Sequence, residues 1–336
     1  MSGKPIYAFS LAVILWLLAS LAFAGAREIS GLVLTVSDLE RSVAFYETAL
    51  DFKKVSERTI ADRDYDYLTG VFGARVRVAT LKLGDETIEL EQYSSPAGRP
   101  IPVDSRSNDL WFQHFAVVVS DMDKAYEHLR KVPFQAISSA PQTIPASNTA
   151  AAGIKAFKFK DPDGHPLELL YFPPDKGRAK WQRRSDRIFL GIDHSAITVA
   201  STEKSAAFYR DLLGLAVGGG SVNTGETQEQ LDNAFGAVVR VTGLRPQSDD
   251  GPGLEFLQYV TPSGGRAAPI GVLPNDILHV RVVLEVDDLA KLASELTQRN
   301  AAFISSQVVP WEGCSCRALM VKDPDGHAVM LVQRGS

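Results

Sequence analysis

The sequence predicts an α+β protein made of two tandem halves, each built from two strand–helix–strands units. Three observations predict it. Lys160–Leu170, KDPDGHPLELL, is written again as KDPDGHAVMLV at Lys322–Val332. His194–Leu215 aligns without gaps to Gly31–Phe52. At the same offset, Phe235-Gly236-Ala237 matches Phe72-Gly73-Ala74, and Val239-Arg240-Val241 matches Val76-Arg77-Val78. Self-similarity kept at one offset through strand-like and helix-like segments marks a duplicated structural unit.

The elements follow in order. Gly31–Val36 (GLVLTV) reads as a strand, and Ser37-Asp38 offers an N-cap to a helix over Leu39–Leu50, whose Leu39, Val43, Tyr46 and Leu50 recur at helical spacing. Arg75–Leu83 and Thr87–Tyr93 read as strands around a Gly84-Asp85 turn, and Pro96–Asn108 is a connector rich in Pro, Gly, Ser and Arg. The pattern then restarts, with His114–Val119 as strand, Asp121–Lys131 as helix and two strands meeting at Asp161–Gly164. That turn is chemically specified. Pro fixes φ at the first corner, Asp side chains bond nearby backbone, and Gly accepts a positive φ. Pro173–Arg187 is charged, aperiodic and carries two prolines, so it reads as the link to the second copy.

Composition sets the outer limits. The chain of 336 residues suits two domains, and 45% hydrophobic with 22% charged residues is ordinary globular material. A formal charge of −5, with no run of Lys and Arg, gives no footing for nucleic acid. Residues Leu11–Leu21 form a dense apolar run ahead of Ala22-Phe23-Ala24, a small-x-small site, with Ala24-Gly25-Ala26 as a second one. This reads as a secretory leader, or as a membrane anchor if it is not cleaved. The expected organisation is a leader over 1–26, a first domain over 27–173, a linker over 174–187 and a second domain over 188–336. The folded part is then exported, to a periplasm or the cell exterior in a bacterium. Cys314 and Cys316 read as small residues on a late strand, since neighbours two apart do not easily meet disulfide geometry.

With these motifs the chain resembles the vicinal oxygen chelate superfamily, the group of glyoxalases, bleomycin resistance proteins and extradiol dioxygenases. The opening V-x-D-L-x-x-S-x-x-FY at Val36–Tyr46 and the closing D-P-D-G-x-x-x-E-L at Asp161–Leu169 carry the resemblance, which covers nearly all of Gly31–Gln333. It implies four βαβββ modules in two pairs, each pair curling its strands around a cup. In metal-binding members, ligands come from the first and last strands of each module.

Transferred to this sequence, the resemblance places Gly31, Glu89, His114 and Glu168 at the ligand positions of the first half. The expected divalent-metal set is therefore His114, Glu89 and Glu168, suited to Zn²⁺, Ni²⁺, Mn²⁺, Co²⁺ or Fe²⁺. Glu89 and Glu168 double as the expected catalytic carboxylates. The second half offers His194 and Glu255, with Arg281 and Met330 at the other two positions and His279 two residues before Arg281. The set His194, Glu255 and His279 is the second-half alternative, opposed by the permanent cation of Arg281. Arg281 is expected to bind an anionic group of substrate, and Trp111 and Phe112 to stack on it. A salt bridge or an outward face explains the same carboxylates without metal, because an inward carboxylate is costly unless partnered. His165 and His327 read as exposed turn residues, and Tyr46 and Tyr209 as core.

Three functions fit these residues. The first is a metal-dependent lyase or isomerase of glyoxalase type, acting on a small oxygenated molecule. The second is a metal-free protein that sequesters a small ligand, as bleomycin resistance proteins do. The third, an extradiol dioxygenase, calls for two His and one Glu, which the first half does not supply. The expected partner is a small molecule, with a membrane only if the leader stays attached. The chain is expected as a monomer or homodimer.

Overall fold

The computed structural model describes residues 25–248, 251–311 and 315–335. Residues 1–24 of the expected leader lie outside them, and Ala26 already belongs to the first strand. Among the described residues no helix is long and apolar enough to cross a membrane. The first module holds β1 (Ala26–Thr35), α1 (Leu39–Leu50), β2 (Lys53–Ile60), α2 (Arg63–Thr69), β3 (Arg75–Leu83) and β4 (Glu86–Ser95). The second holds β5 (Phe112–Val119), α3 (Met122–Leu129), β6 (Gln135–Ala136), β7 (Gln142–Thr143), β8 (Lys155–Lys160) and β9 (Pro166–Tyr171). The third runs through β10 (Phe189–Thr198), α4 (Thr202–Tyr209), β11 (Ala216–Thr224), α5 (Glu226–Asp232), β12 (Val238–Arg245) and β13 (Gly253–Thr261). The fourth has β14 (Val280–Val286), α6 (Leu289–Gln298), β15 (Ala302–Phe303), β16 (Val309–Trp311), β17 (Cys316–Lys322) and β18 (Ala328–Arg334).

These modules make two nine-stranded mixed sheets, and the sheets do not coincide with the sequence halves. One has the order β15-β17-β18-β14-β1-β4-β3-β2, with β16 also on β17, joining the fourth module to the first. The other runs β11-β12-β13-β10-β5-β9-β8-β6, with β7 also on β8, joining the third to the second. The expectation that the two modules of one half share a cup is corrected here. The opening strand of each module keeps one edge for its own closing strand and offers the other to an opening strand elsewhere. β5 takes β10 antiparallel, with Ala196 opposite His114, and β1 takes β14, with Val33 opposite Arg281. The segment between β9 and β10 lets the chain turn back directly beside β5. Cys316 is disulfide-bonded, against the spacing argument, while Cys314 lies outside the described residues.

The halves are nevertheless interlocked through one core. Asp38 caps α1 by accepting from the Arg41 amide at 2.9 Å, as the sequence indicates. The buried face of α1 then carries Tyr46 against Phe52 of its own module and onto Phe115 of β5, where the rings stack 6.2 Å apart. Leu32 and Leu34 of β1, Val117 of β5 and Ile192 of β10 join the same cluster. A buried side chain of this size contributes on the order of 2 kcal/mol, so the sheets are tied back to back.

The histidines of the duplicated turns, His165 and His327, are buried where exposure was expected. The Asp161 Oδ1 accepts from the amides of Asp163 and His165, each at 2.9 Å. This folds the His165 ring back so that Nδ1 donates to Asp161 Oδ2 at 2.9 Å and Nε2 donates to the Ile277 carbonyl at 2.8 Å. The Tyr46 hydroxyl donates to the same Oδ2 at 3.0 Å. Asp323, His327 and Tyr209 repeat the arrangement at 2.8 and 3.2 Å. The tyrosines are core, as expected, and their hydroxyls are why the Asp in each turn can be buried.

Burial alone would lower the His165 pKa, but Asp161 outweighs it and holds the imidazole above 6.5; His327 is raised in the same way by Asp323. Burial likewise opposes, and the histidines overcome, so that Asp161 and Asp323 sit below their ordinary 3.8. The histidine contribution to stability is thus complete below pH 6.5 and lost as pH rises through the raised folded value. The aspartate contribution is complete above its unfolded value and lost as pH falls through the depressed one. Replacing both histidines by glutamine should therefore cost most between about pH 4 and 6.5, on the order of 2 kcal/mol per site. Urea unfolding across pH measures it, and a cost that stays constant from pH 5 to 9 would contradict the pairing.

A second buried pair spans the first sheet. Arg281 of β14 donates to both oxygens of Glu91 of β4 at 2.9 and 2.6 Å across the width of β1, and both side chains are 1% exposed. Removing only the carboxylate strands a buried cation, so Glu91→Ala should destabilise by about 3–5 kcal/mol. The double variant Glu91→Leu with Arg281→Met should recover most of that loss in a urea titration. No recovery would show that the pair supplies more than charge balance.

Candidate metal centre

The seam between β5 and β10 brings two histidine rings together edge-on, at an interplanar angle of 67°. His114 Nε2 lies 3.3 Å from His194 Nε2. Around them, Glu168 Oε2 of β9 is 3.3 Å from His114 Nε2, and Glu255 Oε2 of β13 is 3.4 Å from His194 Nε2. Ligand atoms of His114, Glu168 and His194 all fall within 4.8 Å of one another, with all three residues buried. Each closing strand runs parallel to its opening strand, Ala116 opposite Glu168 and Ala196 opposite Glu255, which is how a carboxylate reaches the level of each imidazole.

Two bulges orient the rings. In the β5–β10 ladder the register skips Gln113 on one strand and Asp193 on the other. A bulged residue escapes the usual alternation, so each can reach the ring of its immediate neighbour. Gln113 Oε1 accepts from His114 Nδ1, and Asp193 Oδ2 accepts from His194 Nδ1 at 3.0 Å. With both Nδ1 atoms protonated, both Nε2 atoms carry lone pairs toward one point. Two lone pairs and two carboxylates facing each other require a positive charge among them. Two imidazole nitrogens and two carboxylate oxygens are a donor set for a divalent first-row ion with room for further ligands. The residues therefore fit such a metal.

The electrostatics without an ion tell the same story. Burial pulls His114 down to about 4. Burial also acts to lower His194, but Glu255 and Asp193 prevail and push it up to about 9, so a proton takes the place of the cation. Burial works against the charge of Glu168, yet His114 holds it down at about 2. Asp193, opposed by burial and pulled down to about 2 through His194, is further fixed by the Trp181 indole, which donates to Oδ1 at 2.6 Å. The segment read as a linker is thus part of the site's wall.

The centre opens into a cavity of about 230 Å³. Lys158, Arg245, Gln228 and Asn223 supply polar lining, and Leu170, Leu257 and Ile154 apolar lining. Lys158 Nζ is anchored 2.7 Å from Asp232, which also accepts from Tyr259 at 2.7 Å.

Several expected site residues lie elsewhere. Glu89 is on β4 in the other sheet, where Arg58 donates to its two oxygens at 2.9 and 3.1 Å; it cannot join His114 and Glu168. The two expected sets each contributed half of the assembled one. His279 drops out because it precedes β14, so strand alternation does not carry it to a cup, and its buried ring nitrogens have no partner among the described residues. Burial and then Arg281 pull His279 down to about 3. Arg281 is neutralised by Glu91 and is not a free anion receptor. Trp111 and Phe112 line a separate hollow near Arg106 and Asp109, where Arg266 stacks on Trp111 at 5.4 Å. The residues missed were Gln113, Asp193 and Trp181. The first two directly precede His114 and His194, a signal that an alternating strand hides.

Comparison with known proteins agrees with this architecture. The model of the Glyoxalase/Bleomycin resistance protein/Dioxygenase superfamily matches residues 28–169 and again 191–331. A protein of Actinomyces sp, 2-epi-5-epi-valiolone epimerase, is 31% identical over 155 residues, which is 44% of this chain and 81% of that one. Glyoxalase I from Zea mays is 19% identical, with 92% of each chain covered and a TM-score of 0.59. A point variant of the same maize enzyme gives 18% identity, 92% and 94% coverage and a TM-score of 0.61. At these identities the likeness to the maize structures is one of fold. The two family matches together span most of the sequence, and the chain belongs to the Glyoxalase/Bleomycin resistance protein/Dioxygenase superfamily.

Proposed function

We propose that the protein is a divalent-metal-dependent isomerase that moves a proton at a carbon next to a carbonyl in a small oxygenated substrate. The observation that carries this is the pair of facing Nε2 atoms 3.3 Å apart with a carboxylate beside each. The Actinomyces epimerase supports the isomerase class. A bound divalent ion would polarise neighbouring substrate oxygens and stabilise negative charge as it develops on them.

The chain's own residues then divide the work. Glu168, ionised and buried beside His114, takes the proton from the carbon. Glu255 lies beside His194 with its side chain 29% exposed and its pKa raised by burial, so it can carry a proton; it returns that proton to the carbon from the other module, and exchange with solvent resets both carboxyls. A carboxylate from each module is what inversion of one carbon centre needs. Lys158 and Gln228 orient substrate oxygens, and the apolar wall of Leu170, Leu257 and Ile154 excludes water. Export is part of the same reading, resting on the apolar run Leu11–Leu21 ahead of Ala22-Phe23-Ala24.

One observation favours a second reading. His114, His194 and Glu168 by themselves form the two-histidine, one-carboxylate set of ferrous oxygenases. Glu255, a second carboxyl placed beside His194 to carry a proton, speaks for the isomerase. Oxygen uptake by the Fe²⁺-loaded protein with catechols, absent with other metals, would favour the dioxygenase.

Elemental mass spectrometry should find one divalent ion per chain after loading, lost in His114→Ala and in His194→Ala and retained in Glu89→Gln. Asp193→Asn should weaken that ion's affinity by about 10–100-fold, through the orientation of His194. Metal retained in both histidine variants would remove the centre from this seam.

For activity, the test is solvent deuterium entering the carbon position of small α-hydroxyketones and α-hydroxyaldehydes, read by NMR. Exchange should require metal and fall about 10²–10⁴-fold in Glu168→Gln. Glu89→Gln should exchange like the unaltered protein. Exchange that survives full metal removal would sink the proposed chemistry.

A further inference from the structure

The cup between the first and fourth modules has lost its metal ligands but not its space. Its cavity is about 240 Å³, against about 230 Å³ for the metal cup. At the four positions equivalent to His194, Glu255, His114 and Glu168 stand Gly31, Glu89, Arg281 and Met330. The cup is an open cleft with a polar side of Arg58, Thr80, Thr87, Glu89 and Arg281, and an apolar side in which Trp311 and Met330 stand among valines and a leucine.

Its charges are all matched within the protein. Arg58 pairs with Glu89 at 2.9 Å, Arg281 with Glu91 at 2.6 Å and Arg334 with Glu285 at 2.7 Å. A cation would meet three guanidinium groups. An anion would meet guanidinium groups that are already neutralised, with the Glu89 carboxylate among them. Hydrogen-bonding capacity facing the cup is left over all the same. The hydroxyls of Thr80 and Thr87 line it, and the Glu89 oxygens, which accept from Arg58 and Thr80, keep further lone pairs. A purely apolar ligand would leave that capacity unused. A hydroxyl group both accepts and donates, so it can serve the threonines and Glu89 together. Trp311, whose ring stacks on Tyr65 at 5.2 Å, offers a rigid aromatic surface to the C–H side of such a molecule.

We propose that this second cup is a metal-free binding site for a small uncharged polyhydroxylated ligand, a polyol or sugar, held by Thr80, Thr87, Glu89 and Trp311. The Arg58–Glu89 pair holds the acceptor oxygens in fixed directions, and at Gly31 no side chain stands where His194 does in the metal cup, the Thr87 carbonyl lying 3.1 Å from where a Cβ would be. The site stands whether or not the other cup is an isomerase.

The test is isothermal titration with ligand-observed NMR on the full chain, using myo-inositol and D-glucose as uncharged probes and malonate as the anionic one. At least one uncharged probe should bind saturably, unchanged by metal removal, and malonate should not. Met330→Trp, which fills the cup, should weaken binding ten-fold or more. Thr87→Val, a smaller change that serves if the first variant does not fold, should weaken it several-fold. Ile154→Trp, which obstructs the metal cup, should leave it unchanged. The proposal is overturned if neither uncharged probe binds, if malonate binds more tightly, or if Ile154→Trp abolishes binding while Met330→Trp and Thr87→Val do not.

Discussion

The constraint on which the site depends is the antiparallel seam between β5 and β10. It brings His114 and His194 to 3.3 Å although 80 residues separate them in the chain. Neither module can make the centre alone, because each contributes one imidazole and one carboxylate. The seam also explains why both faces of β5 are buried along its length: one looks into the cup and the other onto Tyr46 and Phe52. The bulges that spoil its register at Gln113 and Asp193 pin the ring tautomers. What weakens the ladder locally is what aims the nitrogens.

Much of this fold was legible in the sequence because its signals are local. The Asp38 cap, the DPDGH turns, the period of α1 and the offset between copies each rest on residues a few positions apart. Module pairing was not legible. The opening strands β1, β5, β10 and β14 are equivalent in pattern, so periodicity satisfies any pairing among them. The ligand set inherited that ambiguity. His114 and Glu168 were read with Glu89 and His194 with Glu255, when the true partners of the first pair were the second. His165 and His327 were misread for a different reason. Their burial depends on Tyr46 and Tyr209 reaching the turn aspartates from distant helices, and no spacing rule carries that.

The two cups show opposite solutions to one electrostatic problem. Each gathers carboxylates on strands β4 and β13, or β9, with apolar neighbours on both sides, where an unpaired charge is expensive. In the cup of β5 and β10 the compensating charge is left to a proton on His194 or to an ion. In the cup of β1 and β14 it is built in, as Arg58 against Glu89 and Arg281 against Glu91. A guanidinium is permanently charged and cannot leave, so the second cup has exchanged an open coordination site for fixed ion pairs. That exchange also ties β14 to β4 across β1, which makes the arginine a structural member of the sheet.

The segment between the copies completes the argument. By composition, residues 173–187 are a tether, and a tether would leave His194 to be held by its strand alone. Trp181 instead donates to Asp193 at 2.6 Å, Lys180 pairs with Glu86 of the first module, and Glu86 in turn accepts from the Ile192 amide at 3.1 Å. The connection between the copies therefore reaches β10 from one side and β4 from the other. A duplicated chain gains a coupling here that two separate subunits would lack, since the covalent link between copies is also the clamp on the carboxylate that orients His194.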